Sequence, residues 1–245
     1  MENYGFIGLG NIGKMLLNRF KDIGIHDANI YASNSNETNQ EVIKNSDIIY
    51  LCIRPQDLQN VYAMLKHNLE NKLLISTIAA IETQSYYGVL GNIQLIRIIP
   101  SMTNAIGGPI LFCPGKYTST HNINKTKSDL SKIANVYKIE EEHIDEYNHL
   151  ASCSPAIITE FLREYLDSII ETGINPQLGK EILLDASSST LNILKQDKGF
   201  DLIDRVCTKQ GISKVGVNLL RQGNSITDIS QSLLKRIKEV KQSYG

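Results

Sequence analysis

Three glycines near the start of the chain carry the first chemical signal. Gly8, Gly10 and Gly13 stand in G-x-G-x-x-G spacing after the apolar run 4–8, with Asn11 and Ile12 opening a helix-like stretch. The chemistry this suits is the holding of a diphosphate. Gly8 permits a tight strand-to-helix turn, Gly10 lets backbone approach a pyrophosphate at a helix N-terminus, and Gly13 lets the helix pack closely on the strand. In that context the pattern predicts a dinucleotide site, although a tight turn without a ligand has the same spacing. A second signal follows the next strand. An acid there would hold a ribose 2′-hydroxyl, but the chain reads Ser33-Asn34-Ser35-Asn36. Hydroxyl and amide donors without a repelling carboxylate favour a 2′-phosphate. The expected cofactor is therefore NADP, with NAD possible; the bland alternative is a polar loop.

The elements that must position these residues divide the chain in two. Up to about residue 145, short β-branched runs alternate with helix-like stretches. Strands are expected at 4–8, 29–32, 48–53, 73–77, 95–99 and 110–113, and helices at 11–22, 56–69 and 124–135. Near-continuous apolar strands alternating with helices predict a doubly wound α/β, Rossmann-type domain with a mainly parallel sheet. The Asn/Ser-rich stretch 33–40 reads as a loop. Beyond 145 the strand signal stops. Ile157, Ile158, Phe161, Leu162, Tyr165, Leu166, Ile169 and Ile170 form apolar pairs every four residues, one broad stripe on a long helix. Thr172-Gly173 and Pro176 end it and begin another. Further helices are expected at 177–194, 213–220 and 226–240. The expected domains are 1–145, dinucleotide-binding, and 146–245, all-helical. Stripes this extensive predict a homodimer through the C-terminal helices.

Composition narrows the class. With 245 residues, 42% hydrophobic and 21% charged, the chain is globular rather than disordered. A net charge of -1 lacks the basic excess of a bulk phosphate binder, so no nucleic-acid partner is expected. Lys235, Arg236, Lys238 and Lys241 read as a solvated helix end. No run approaches the ~18 apolar residues of a membrane span, and no secretory signal opens the chain. Four scattered cysteines without C-x-x-C spacing predict neither zinc nor disulfides and suit a cytoplasmic protein. The five histidines show no ligand spacing, and no metal site is expected.

Read together, these pieces resemble the pyrroline-5-carboxylate reductases, including a divergent branch of late-competence reductase-like proteins. Gly5-Phe6-Ile7-Gly8 matches the family start. Asn39-Gln40-Glu41 and the run from Ser46 to Gln56, with Ile53-Arg54-Pro55, match a cofactor-contacting segment that usually carries Lys-Pro. Ser76-Thr77-Ile78-Ala79-Ala80 sits where the family lines the nicotinamide. Ser152-Cys153-Ser154-Pro155-Ala156 resembles the S-G-S-G-P-A helix start. Cys207 to Ser213 falls on the S-P-G-G-T-T loop. The departures are Ser101-Met102-Thr103 for N-T-P, serines flanking Cys153 for the two glycines, Lys209-Gln210 for Pro-Gly, and Ser213 for Thr.

The resemblance implies reduction of a cyclic imine, pyrroline-5-carboxylate, to proline by a nicotinamide cofactor. It implies cofactor contacts from Gly8, Gly10, Asn11, Ile12, Gly13, Ser33, Asn34, Asn39, Ile53, Arg54, Pro55, Ile78 and Ala79. The small anionic substrate would meet Ser152, Cys153, Thr208, Lys209, Gly211 and Ile212. Backbone N–H groups of Gly211, Ile212 and Ser213 suit a carboxylate. Ser213 is the matched position for a catalytic hydroxyl at the ring nitrogen, with a helix N-cap as the structural alternative. A dinucleotide-binding paralogue without turnover is the second reading, motivated by the departures. A β-hydroxyacid dehydrogenase needs a helix Lys in a glycine-rich context, and Gly179-Lys180 lacks the glycine run. The shortfall against relatives falls between Ser33 and Asn39, where they insert a helix and a strand.

Overall fold

A computed structural model describes residues 2–196, 202–208 and 211–244, with backbone alone at 36, 37, 243 and 244. Two compact units result, Met1–Pro155 and Ala156–Gly245.

The first unit runs β1 (Tyr4–Ile7), α1 (Asn11–Asp22), β2 (Ile30–Ser33), α2 (Asn36–Asn45), β3 (Ile48–Leu51), α3 (Leu58–Leu65), β4 (Leu73–Ser76), α4 (Thr83–Leu90), β5 (Gln94–Ile99), β6 (Pro109–Pro114), α5 (Thr120–Ser131), β7 (Asn135–Lys138) and α6 (Ile144–Asn148). The strands form one sheet in the order β2-β1-β3-β4-β5-β6-β7, parallel except at β5–β6. Strand alternation splits the core between two faces. Phe6, Tyr50, Ile75, Ile98 and Phe112 pack beneath α1 and α5 with Leu16, Phe20 and Leu130. Ile7, Ile49, Leu51, Leu74 and Leu95 face α2, α3 and α4 through Val42, Ile43, Val61, Leu65 and Tyr86. Both faces are covered, which is why these strands read as continuous apolar runs. The doubly wound expectation is met.

Two local expectations fail for physical reasons. The stretch 33–40 is not all loop, because α2 begins at Asn36 behind an N-cap at Ser35. Only Val42 and Ile43 of α2 are deeply buried apolar residues, too few to set a visible period, and burial against the sheet decides the helix. The helix expected at 124–135 begins at Thr120 instead, because the Ser119 side chain accepts from the Asn122 N–H. Residues 135–138 then leave as β7, an edge strand whose mostly exposed Asn-Val-Tyr-Lys has no apolar run. α4 was not anticipated either.

A π-helical turn, His149–Cys153, leads into the second unit's helices: α7 (Ser154–Ile170), α8 (Pro176–Gln196), α9 (Leu202–Val206), α10 (Ile212–Arg221) and α11 (Ile226–Tyr244). Helices replace strands beyond 145, as expected. Gly216 of α10 allows close approach to α11, where an added Cβ would stand 3.2 Å from Leu233. The Ser168 hydroxyl of α7 donates to Ser230 of α11 at 2.6 Å. Among the described residues no helix is long and apolar enough to cross a membrane.

Candidate active site

The parallel registers align Ser33, Ile7, Leu51 and Ser76 in one row at the carboxyl ends of four strands, with Arg97 beside Ser76 two residues before the end of β5. Chain order reverses between β1 and β3, and the crevice outside such a switch point is where doubly wound sheets take ligands. There a cleft of about 480 Å³ is lined by Gly8, Gly10, Asn34, Asn39, Ile53 and Arg54, among others. These six, scattered over forty-seven positions of sequence, are brought together by the row.

Each glycine of the loop has its own reason. Gly8 holds φ at +93°, and an added Cβ would sit 2.5 Å from the Cys52 carbonyl oxygen. Gly13 meets the Gly8 carbonyl, with 2.0 Å left for a Cβ. Gly10 differs: nothing lies within 4 Å of its missing Cβ. It is the N-cap of α1, so the space above it adjoins the orphan amides of the first helical turn. Those features together fit a diphosphate. Asn11 is exposed in that first turn, while the Ile12 side chain packs towards the core, leaving its backbone for any ligand.

At the β2 end, Asn34 accepts from the Leu9 N–H at 2.7 Å and so ties the glycine loop to the next strand. Ser33 is buried, and its hydroxyl is engaged with Ser35 and Thr38. It shapes the turn more than it faces the cleft. Arg54 is exposed, and Pro55 opens the short helical turn Pro55–Asp57 behind it. Ile78 is 3% exposed, its side chain in the core beside α3 and α4, so only its backbone can line a site. Ala79 is half-buried, and its carbonyl accepts from Arg97 at 2.6 Å. Cys52 also lines the cleft; burial pushes its thiol up to about 12, partly offset by a hydrogen bond with Thr77, so it stays protonated. Sequence reasoning missed Asp57, Asn60 and Val61 in the cleft. Their i, i+3, i+4 spacing directly after Arg54-Pro55 was the available signal, because a helix start follows each strand end.

The residues expected to meet substrate fall in both units. Ser152 and Cys153 lie in the π-helical turn, with Cys153 exposed and the Ser152 Oγ buried without a hydrogen-bond partner. Such turns recur at functional positions. In the second unit the Gly211 N–H donates to the Thr208 carbonyl at 2.9 Å, and an added Cβ on Gly211 would meet Thr208 Oγ1 at 2.5 Å. Gly211 is the N-cap of α10; Ile212 and Ser213 form its first turn, and Ser213 is exposed. Ser213 is therefore not the helix cap. Lys209 lies outside the described residues. Arg97 is an ion-pair partner: it is 1% exposed and paired with Glu141. No metal-binding group of His, Cys, Asp and Glu exists among the described residues.

Comparison with known proteins agrees with this architecture. Residues 141–243 match the family described as pyrroline-5-carboxylate reductase dimerisation, and residues 3–80 match NADP oxidoreductase, coenzyme F420-dependent. ComE operon protein 4 of Bacillus subtilis is 25% identical, over 89% of this chain and 88% of its own length. Pyrroline-5-carboxylate reductase 2 of the same organism is 22% identical over 100% and 97%. Among solved structures, the Plasmodium falciparum pyrroline carboxylate reductase with NADP bound superposes with a TM-score of 0.84 at 19% identity, covering 98% of this chain and 97% of that one. The Streptococcus pyogenes enzyme gives 0.80 at 22%, covering 98% of each. The chain thus resembles a nucleotide-binding oxidoreductase domain over residues 3–80 and the dimerisation domain of pyrroline-5-carboxylate reductases over residues 141–243, and it shares the fold of the solved pyrroline-5-carboxylate reductases.

Proposed function

We propose that the protein is an NADPH-dependent reductase of a small cyclic imino acid, pyrroline-5-carboxylate, working as a homodimer. The observation that carries this reading is the glycine loop. Gly8 and Gly13 have no room for a side chain, whereas Gly10 opens onto a cleft shared with Asn34 and Arg54. When bound, the cofactor supplies the hydride. The amides at the start of α1 hold its diphosphate, and Arg54 with the Asn34 amide favours a 2′-phosphate. The amides of Ile212 and Ser213 hold the substrate carboxylate, since the Gly211 N–H is taken by the Thr208 carbonyl, and the Ser213 hydroxyl contacts the ring nitrogen. A protonated imine is already electrophilic, so orientation and electrostatics supply most of the rate and no strong general acid is needed.

Dimerisation is supported by the apolar residues that α7 and α8 leave exposed, among them Ile157, Phe161, Leu178, Ile182 and Leu191. A second reading, a dinucleotide-binding paralogue without turnover, is favoured by the unpartnered Ser152 Oγ at a position where the resembled family has glycine. One experiment separates them: NADPH oxidation followed by absorbance with pyrroline-5-carboxylate, beside NADPH binding by calorimetry. Turnover lost in Gly10→Asp supports the reductase. Binding without turnover selects the paralogue, and absence of binding refutes both.

A further inference from the structure

Arg97 is the largest fully buried side chain of the first unit, and a buried cation is costly unless its partners are well placed. One arm of its guanidinium pairs with Glu141; the other donates to the Ala79 carbonyl at 2.6 Å. Glu141 is itself held from a third side, accepting from the Thr83 N–H and from the Thr83 hydroxyl, each at 2.6 Å. Burial raises the Glu141 carboxyl, but the Thr83 and Arg97 hydrogen bonds outweigh it and keep it below the usual carboxylate range. The result is a closed circuit, Ala79–Arg97–Glu141–Thr83, bracketing the loop between β4 and α4.

That loop leaves the sheet beside the cofactor cleft. Ser76 is in register with Leu51 and Ile7, and the Thr77 N–H donates to the Leu51 carbonyl at 3.1 Å. The Thr77 hydroxyl also donates to the Leu51 carbonyl at 3.2 Å, next to Cys52, whose carbonyl crowds Gly8. The loop is thus one step from the glycine turn. Apolar packing holds only part of it: Ile78 is in the core and Ala79 packs against the cluster of Ile99, Leu111 and Ile144, but a hollow of about 280 Å³ also lies against Ala79, Ala80, Arg97, Glu141 and Ile144. Beside such a hollow, directional polar contacts help set the backbone. A guanidinium suits this task because its planar fork holds two points at once, which an ammonium does not.

We propose that Arg97, braced by Glu141, is a positioning residue for the nicotinamide end of the cofactor site, setting the Ala79 carbonyl and with it the loop that receives the ring. This rests on the dinucleotide reading of the cleft. Arg97 itself touches no ligand, and the adenosine end, near Asn34 and Arg54, is independent of it.

The test uses two probes on the full chain, NADPH and 2′,5′-ADP, which lacks the nicotinamide half. Calorimetric binding is measured for wild type, Arg97→Lys and Glu141→Gln, with circular dichroism to confirm folding. The expected result is NADPH affinity about tenfold weaker in Arg97→Lys and about threefold weaker in Glu141→Gln, with 2′,5′-ADP within twofold of wild type. If Arg97→Lys does not fold, Glu141→Gln, which keeps shape and acceptor, carries the comparison. Both probes weakened alike, or neither weakened, overturns the positioning role and leaves the dinucleotide reading standing. Wild type that binds neither probe overturns both.

Discussion

In the first unit, β1 and every strand from β3 to β6 have buried apolar residues, and side chains such as Phe6, Phe20, Tyr50 and Phe112 form a stacked and edge-on aromatic cluster or pack beside it. In the second, only Gly216, Ile229 and Ser230 are buried among the described residues, while α7 and α8 expose a succession of Ile, Leu and Phe. Both units have strongly apolar patterns. A sheet sandwiched between helices saturates its own burial, whereas a few helices with broad stripes do not. The lesson is that an apolar stripe marks a buried surface without saying which chain buries it.

The largest expected effect tests the self-sufficiency of the first unit. Phe20→Ala removes a fully buried ring from the aromatic cluster and should cost about 3–5 kcal/mol, read by urea denaturation. The converse holds for the second unit. Leu178→Asp with Ile182→Asp should weaken self-association by more than about 100-fold in sedimentation velocity, because charged groups would sit in the proposed interface. The melting of the first unit should not move; a loss of its stability would show that the two units are not independent in this respect.

Gly10→Glu comes next. Since nothing lies within 4 Å of the position, stability should be unchanged, while a carboxylate beside the diphosphate lowers NADPH affinity about 100-fold, roughly 2.7 kcal/mol. A stability loss would mean that the open space has another occupant.

A smaller effect concerns the ion network beneath the sheet, where Asp129 accepts from Lys125, from Lys132 at 3.0 Å and from the Tyr4 hydroxyl at 2.9 Å. Burial raises the Asp129 carboxyl, but these donors outweigh it and hold it below its ordinary value. A depressed carboxylate stabilises the fold above its unfolded value, about 4, and loses that contribution as pH falls through the folded one. Asp129→Asn should therefore cost about 1.5–3 kcal/mol at pH 7 and flatten the acid decline. Glu141, depressed in the same sense, keeps part of that slope in the variant. Burial also pushes the Tyr4 hydroxyl up to about 12, so it remains a donor throughout. Last, Ser213→Ala should lower kcat about tenfold, roughly 1.4 kcal/mol, with folding unaffected, since Ser213 is exposed and does not cap α10.

Much of the site was legible because its constraints are local. The spacing of Gly8, Gly10 and Gly13 encodes a turn with no room for side chains at two of the three positions, and the strand ends carrying Asn34 and Arg54 follow from continuous apolar runs. Asp57 and Asn60 had only their spacing after Arg54-Pro55 as a signal, since nothing in their types says that α3 begins beside the glycine turn. The fate of Ser33 was hidden for the opposite reason: its type suits a phosphate donor, but Thr38, five positions on in α2, engages its hydroxyl. α2 escaped because its two deeply buried apolar residues show no period.

By itself the amino-acid sequence determined the alternation of strands and helices, the glycine turn and the change to helices beyond the sheet, because these depend on neighbours a few residues apart. Tertiary structure alone decided that Arg97 spans from Glu141 to the Ala79 carbonyl. Those contacts join residues 18 and 44 positions apart, and sheet register, which no local pattern encodes, brings them together.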